Sequence, residues 1–75
     1  KDSTPVYIYI VSDITPKIKE FADNASLTES PDKEGYFGYM PNYHAYVEVM
    51  SYKKMYDDAL MRNRIFFEKL GINVD

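Results

Sequence analysis

The pattern of hydrophobic positions in the first third of the chain changes from a continuous run to a helical period. Val6–Val11 is apolar or aromatic at every position, which is typical of a strand covered on both faces in the middle of a sheet. Thr15 and Pro16 then suit the N-cap and the first helical position. Apolar residues recur at helical spacing after them. We therefore expect a central strand at about 6–12 and a helix at about 16–25.

The middle of the chain predicts a loop and a β-hairpin. Residues 24–35 are rich in Ser, Thr, Pro, Asp and Gly, which is typical of a loop. Two strand patterns follow at 35–40 and 44–50, and Pro41 begins the turn that separates them. Gly38 inside the first of these strands indicates a bulge or a close backbone approach.

The last third predicts a single long helix. Ser51 is placed as its N-cap and Gly71 as the residue after its end, so the helix covers about 52–70. The predicted order β-α-β-β-α indicates an α+β or α/β fold with a small mixed sheet in one small domain, residues 1–75. The helix stripe that we expect to pack consists of Tyr52, Met55, Tyr56, Ala59, Leu60, Phe66, Phe67 and Leu70.

Composition excludes several classes of protein. Hydrophobic residues make up 45% of the 75 positions, which is too many for a disordered chain. The absence of cysteine excludes disulfides and thiolate metal sites, and the net charge of −3 argues against a broad nucleic-acid footprint. No apolar run reaches the length of a membrane span. We expect a cytoplasmic domain without a membrane partner, and we interpret the start at Lys1 as the beginning of a C-terminal piece of a longer protein.

The sequence predicts no catalytic residue and no metal site, because it lacks a phosphate-binding loop, a Ser–His–acid set and metal-ligand spacing. A few residues are weak candidates for binding. Asp13 follows a strand, as functional carboxylates of α/β folds often do, although the position is more typical of a solvated residue before a helix. Strand tyrosines can stack on bases but usually pack, and the arginines have acidic neighbours four residues away. The candidates are Asp13, Tyr36, Tyr39, Tyr43, His44, Arg62 and Arg64.

Several stretches together resemble a known family. The segments are TPVYIYIVSDITPK at 4–17, PDKEGYFGY at 31–39, AYVEVMSY at 45–52 and RNRIFFEKLG at 62–71. Their order and spacing resemble the C-terminal segment of large bacterial ATP-binding proteins. Those proteins carry a gyrase- and histidine-kinase-like ATPase domain and a restriction-endonuclease-like PD-(D/E)XK region. The resemblance implies that ATP, Mg²⁺ and the Glu-x-Lys motif belong to upstream parts of the parent protein, with no cofactor in this chain.

Three functional hypotheses follow. The first is a non-catalytic C-terminal scaffold, dimerisation or partner-binding domain, which would contact the upstream domains of the parent chain or a second copy. Its parent would be nuclease-associated and act in defence against foreign DNA. The second is that the segment completes a restriction-endonuclease-like domain that cleaves DNA, with Asp13, His44 and Arg62 as first candidates. The third is a stand-alone module that binds nucleic acid or protein through the tyrosines and arginines named above.

Overall fold

The computed structural model describes residues 3–74, which form four strands, two helices and one turn of 3-10 helix. The predicted α+β class and the mixed sheet are confirmed, and both helices lie within one residue of their predicted bounds. The short strand β2 lies inside the predicted loop and was not expected. In chain order the elements are β1 (Val6–Val11), α1 (Pro16–Asn24), β2 (Thr28–Glu29), β3 (Gly35–Met40), the 3-10 turn (Pro41–Tyr43), β4 (Ala45–Met50) and α2 (Tyr52–Lys69).

The sheet has the order β1-β4-β3-β2. β1 runs parallel to β4, whereas β4 with β3 and β3 with β2 are antiparallel pairs. The prediction of a central position for the first strand is therefore wrong, because β1 lies at the edge and β4 lies between β1 and β3. The physical reason is that the hairpin places its return strand beside β1, and no other described strand pairs with the outer side of β1.

One face of the sheet, the core face, contains the hydrophobic core. Ala45, Val47 and Val49 of β4 are buried there, because their side chains alternate to the same side of the strand. Partly buried apolar side chains surround them: Ile10, Ile14, Ile18, Phe21, Leu27 and Met40. The core is thus built from β4, its two neighbouring strands, α1 and the segments that flank α1.

Helix α1 covers the core face and begins where the sequence predicts. The Thr15 side chain accepts a hydrogen bond from the Ile18 backbone N–H at 3.2 Å, and Pro16 occupies the first helical position. The fully buried Ala22 allows close approach of the helix to its neighbours. After α1, the chain returns along the sheet through Leu27, whose side chain fills the space over Gly38: a Cβ at Gly38 would lie 2.8 Å from Leu27 Cδ2. A close approach occurs at this glycine, but it is made by the Leu27 side chain and not by a backbone, and the β3–β4 register continues through Gly38 without a bulge.

Helix α2 begins at its predicted cap but does not pack as predicted. Ser51 Oγ accepts a hydrogen bond from the Lys54 backbone N–H at 3.0 Å. None of the 18 residues of α2 is buried, and Phe66 is 57% exposed, whereas Ala59 and Phe67 are partly buried. The expectation that the apolar stripe packs within the chain is wrong, because α1 already covers the core face and the stripe meets no other apolar layer.

The chain consequently has more surface than its mass requires. Its accessible surface of 5939 Å² exceeds by about 1,100 Å² the roughly 4,800 Å² expected for a compact protein of 8.8 kDa. The radius of gyration is 15.6 Å, against about 11 Å for a compact domain of this length. The excess reflects a helix and a sheet face that have no covering layer.

Candidate protein-interaction surface

The sheet face opposite the core, here called the open face, is aromatic. Alternation along three adjacent strands brings five aromatic side chains to this side, since each strand places every second residue there. All five are more than one third exposed, and Tyr7 is 65% exposed. They are Tyr7 and Tyr9 of β1, Tyr46 of β4, and Phe37 and Tyr39 of β3.

Four of these rings form a continuous row, here called the tyrosine row: Tyr9, Tyr7, Tyr46 and Tyr39. The Tyr7 ring stacks on Tyr9 and on Tyr46 with 5.6 Å between ring centroids in each case. The Tyr46 and Tyr39 centroids are 5.0 Å apart with tilted planes. Such contacts contribute about 0.5–1.5 kcal/mol per pair beyond area burial and hold the rings in fixed positions. The row is therefore a pre-organised apolar surface with hydroxyl groups at its rim.

Glu48 is the charged residue in the middle of the open face. It lies between Tyr9 and Phe37 on the two neighbouring strands and is partly buried. Together with Phe37 and the adjacent tyrosines it lines a depression of about 210 Å³. None of the ion pairs among residues 3–74 includes Glu48. A carboxylate framed by aromatic rings favours a cationic side chain, which could contact both the charge and the ring faces.

The second exposed apolar surface is the stripe of α2. At 3.6 residues per turn, Met55, Ala59 and Phe66 follow one another along one side of the helix, and Arg62 lies beside them at its edge. Most of the stripe is exposed; Leu60 and Leu70 are 48% and 58% exposed. The stripe therefore combines a large apolar area with a flanking positive charge.

The junction between β4 and α2 is fixed by hydrogen bonds. Ser51 is the only residue between the two elements, and it is 9% exposed. Its backbone N–H donates to the Glu34 carbonyl at 2.8 Å, and its hydroxyl donates to the Glu34 carboxylate at 2.5 Å. The first turn of α2 is thereby held against the loop before β3.

An ion pair supports the same junction. Lys54 Nζ lies 3.1 Å from Asp32 and 3.5 Å from Asp58. The Glu34 backbone N–H and the Lys54 ammonium lower the pKa of Asp32 below its usual 3.8. The hydrogen bond to Asp32, together with the charges of Asp32 and Asp58, raises the pKa of Lys54 above its usual 10.5. The pair is partly solvated, so it orients the helix more than it stabilises the fold.

His44, the single histidine, has a structural position. It ends the 3-10 turn in the left-handed region at φ 48°. Its Nε2 lies 2.5 Å from the Ser3 carbonyl oxygen, which can only accept, so Nε2 carries the proton. In the neutral ring Nδ1 then accepts from the Tyr39 hydroxyl at 2.8 Å. The imidazole thus joins the start of the chain to the end of the tyrosine row.

The other predicted candidates do not form one site. Asp13 follows the end of β1, whereas His44 lies at the opposite end of the sheet, about 20 Å away for strands of six residues. Tyr36 is 8% exposed on the core face, where loss of solvation raises the pKa of its hydroxyl, and Tyr39 lies on the open face. Tyr43 is 69% exposed on the 3-10 turn. Arg62 and Arg64 lie on α2 and are exposed.

The residues that matter most for the open face were not among the predicted candidates: Tyr7, Tyr9, Phe37, Tyr46 and Glu48. The signal was present as aromatic residues two positions apart in two strands, Tyr7 and Tyr9 in β1 and Phe37 and Tyr39 in β3. It becomes meaningful only with the register, which aligns Tyr7 with Tyr46 and Tyr46 with Tyr39.

No family model, curated protein or solved structure matches this chain at a significant level. The family resemblance described above therefore stays a prediction. Within residues 3–74 there is no cluster of three or more His, Cys, Asp or Glu side chains arranged to hold a metal ion. Over the same residues, neither helix combines the length and the apolar character needed to cross a bilayer.

Proposed function

We propose that this domain is a non-catalytic protein-interaction module that docks a partner on two apolar surfaces, the open face and the stripe of α2. In a larger ATP-binding protein of the kind that the sequence resembles, it would act as a scaffold or dimerisation domain. The observation that carries the proposal is the pairing of a pre-organised tyrosine row with an 18-residue helix of which no residue is buried.

The amount and the arrangement of apolar surface support this function. Monomeric proteins rarely expose contiguous apolar patches beyond a few hundred Å², and larger ones mark interaction sites. Aromatic residues and arginine dominate the binding energy of protein interfaces, and both residue types occur here, with Arg62 at the edge of the stripe and tyrosines across the open face. A water-exposed surface of this composition favours a protein partner over a small molecule, because the depression at Glu48, about 210 Å³, is smaller than the roughly 300–1,000 Å³ of typical ligand pockets.

The nuclease alternative has less support from the geometry, since Asp13 and His44 lie at opposite ends of the sheet. The nucleic-acid alternative needs stacking tyrosines flanked by cations. The open face has the tyrosines, but its central charge is the carboxylate of Glu48, which repels phosphate.

Hydroxyl-radical footprinting of the 75-residue chain tests whether the open face is uncovered in the monomer. The footprint is recorded over a series of chain concentrations, and sedimentation identifies those at which the chain is monomeric. In the monomer we expect Tyr7 and Tyr46 to be oxidised at rates near that of Tyr43, the exposed reference. Tyr36 should be protected and serves as the buried reference. If the monomer protects Tyr7 and Tyr46 as strongly as Tyr36, the open face is already covered within one chain and the proposal fails.

A further inference from the structure

We infer that the partner of these two surfaces is a second copy of this chain, whose α2 lies across the open face while its own open face receives α2 in return. This inference rests on the proposed function and names its partner. The dimer would have twofold symmetry, with the same contact made twice, as closed homodimers require.

The short junction at Ser51 disfavours the same contact within one chain. A connection that turns a helix back onto its own sheet usually contains two to six residues, whereas Ser51 alone separates β4 from α2. Its hydrogen bonds to Glu34 hold the helix in its outward direction. A helix and an uncovered sheet face that do not pack together within one chain can pack together between two chains, as they do in domain-swapped dimers.

The two surfaces match in size. An α-helix with side chains is about 10 Å across, and the three strands of the open face span about 10 Å at their usual spacing. The 18 residues of α2 are about 27 Å long, and the six-residue strands are about 20 Å long. One helix is therefore long enough to cover the tyrosine row, and about one helical turn would extend beyond the strands.

The two surfaces also match in charge. Helix α2 has five Lys or Arg and three Asp or Glu residues, a balance of +2; the other residues contain four and nine, a balance of −5. A basic helix is attracted to the acidic body of a second copy more than to another α2. Glu48 lies near the middle of β4 and Arg62 near the middle of α2, so a centred helix brings the two groups together. Arg62 would then lie over the rings beside Glu48.

The uncovered surface area is large enough for a stable homodimer. Covering the excess of about 1,100 Å² in each protomer would bury about 2,200 Å² in total, within the range of obligate homodimers. A single reciprocal contact would thus account for both exposed surfaces.

Complementary charge reversal tests this arrangement. We expect the 75-residue chain to sediment at twice its 8.8 kDa mass. Glu48→Arg and Arg62→Glu should each raise the dimer dissociation constant at least about tenfold, because each homodimer then places like charges together twice. Mixing the two variants should restore dimerisation, because both contacts in the mixed dimer again join an arginine to a glutamate.

Glu20→Arg and Lys19→Glu are the matched controls, because they make the same charge changes on the exposed side of α1. Each should dimerise as the unmodified chain does, and mixing them should change nothing. Circular dichroism of all four variants establishes that a lost dimer is not a lost fold.

Each other outcome overturns the inference in a distinguishable way. If the chain stays monomeric and Tyr7 and Tyr46 are readily oxidised, the open face is available to a different protein. That result excludes the homodimer but not the proposed interaction function. A monomer with both tyrosines protected also removes the proposed function. A dimer unaffected by Glu48→Arg and Arg62→Glu forms through another surface, such as the free edge of β1.

Discussion

The two faces of the same sheet differ in how they are completed. On the core face, strands and α1 enclose Ala45, Val47 and Val49, and every layer comes from within the chain. On the open face, the alternate residues of the same strands form a row of exposed rings, and the second helix extends from the sheet instead of covering it. Strand β4 is therefore buried on one side, at Val47, and exposed on the other, at Tyr46.

The largest predicted effect separates two neighbouring residues of β4, one on each face of the sheet. Val47→Asp places an unpaired carboxylate in a site that is 4% exposed, which costs more than a domain of this size can lose, so the chain should unfold. Tyr46→Asp, one residue away and 44% exposed, should keep the fold and lose association. Circular dichroism and sedimentation measure the two effects. Equal unfolding of both variants would mean that the open face is part of the core.

Helices α1 and α2 offer the next comparison, with a phenylalanine on each. Phe21→Ala removes a ring packed on the core and should lower the free energy of unfolding by about 2–3 kcal/mol. Phe66→Ala should cost the monomer less than about 1 kcal/mol, since the ring is 57% exposed.

Urea denaturation of dilute chain gives both values, and Met61→Ala is the control on the side of α2 away from the stripe. Phe66→Ala, but not Met61→Ala, should weaken the dimer. A loss at Phe66 as large as that at Phe21 would contradict the uncovered position of α2.

The helix caps provide a smaller effect. Thr15→Ala removes an N-cap hydrogen bond worth about 1 kcal/mol. Ser51→Ala removes a bond of the same kind and also the hydrogen bond from the Ser51 hydroxyl to Glu34. Because α1 is also held by packing, Thr15→Ala should leave its helix formed, whereas α2 depends on its cap and should lose helical content in the monomer. Far-UV circular dichroism at low chain concentration compares the two. Equal loss of helical content in the two variants would contradict the view that α1 is packed and α2 is not.

The smallest predicted effect is the pH dependence of the junction. Because the pKa of Asp32 is below 3.8 in the folded chain, the stability it contributes is complete above 3.8 and is lost as pH falls through the lowered value. Asp32→Asn should therefore flatten the acid side of the melting-temperature curve slightly. Asp57→Asn, at an exposed pair with Lys53, is the control. An unchanged acid limb for Asp32→Asn would mean that the Glu34 N–H and the Lys54 ammonium together do not stabilise the Asp32 carboxylate in the folded chain.

Sequence reasoning predicted the elements well because local signals define them. Thr15 with Pro16 and Ser51 cap the two helices where expected, and Pro41 begins the turn between β3 and β4. The position of β1 at the sheet edge could not be read locally, since it depends on which strand pairs with which. A strand apolar on both faces has the same composition whether its second face is covered by its own chain or by another molecule.

The candidate site was less predictable for the same reason. Tyr36 and Tyr39 are three residues apart, and only the side of the strand separates a buried ring from an exposed one. The stripe of α2 was visible from its period, but periodicity shows that a helix has an apolar side and not what covers it. Glu48 gained significance only through the rings that the register places around it.

Hydrogen–deuterium exchange of α2 as a function of chain concentration distinguishes a helix covered by a second copy from a helix packed within its own chain. An uncovered 18-residue helix is marginal in water, so in dilute chain its amides should exchange rapidly while those of β4 stay protected. As the concentration rises, α2 should become protected in parallel with dimer formation. Protection of α2 that is equal to that of β4 at every concentration would contradict the account, because the helix would then be packed within a single chain.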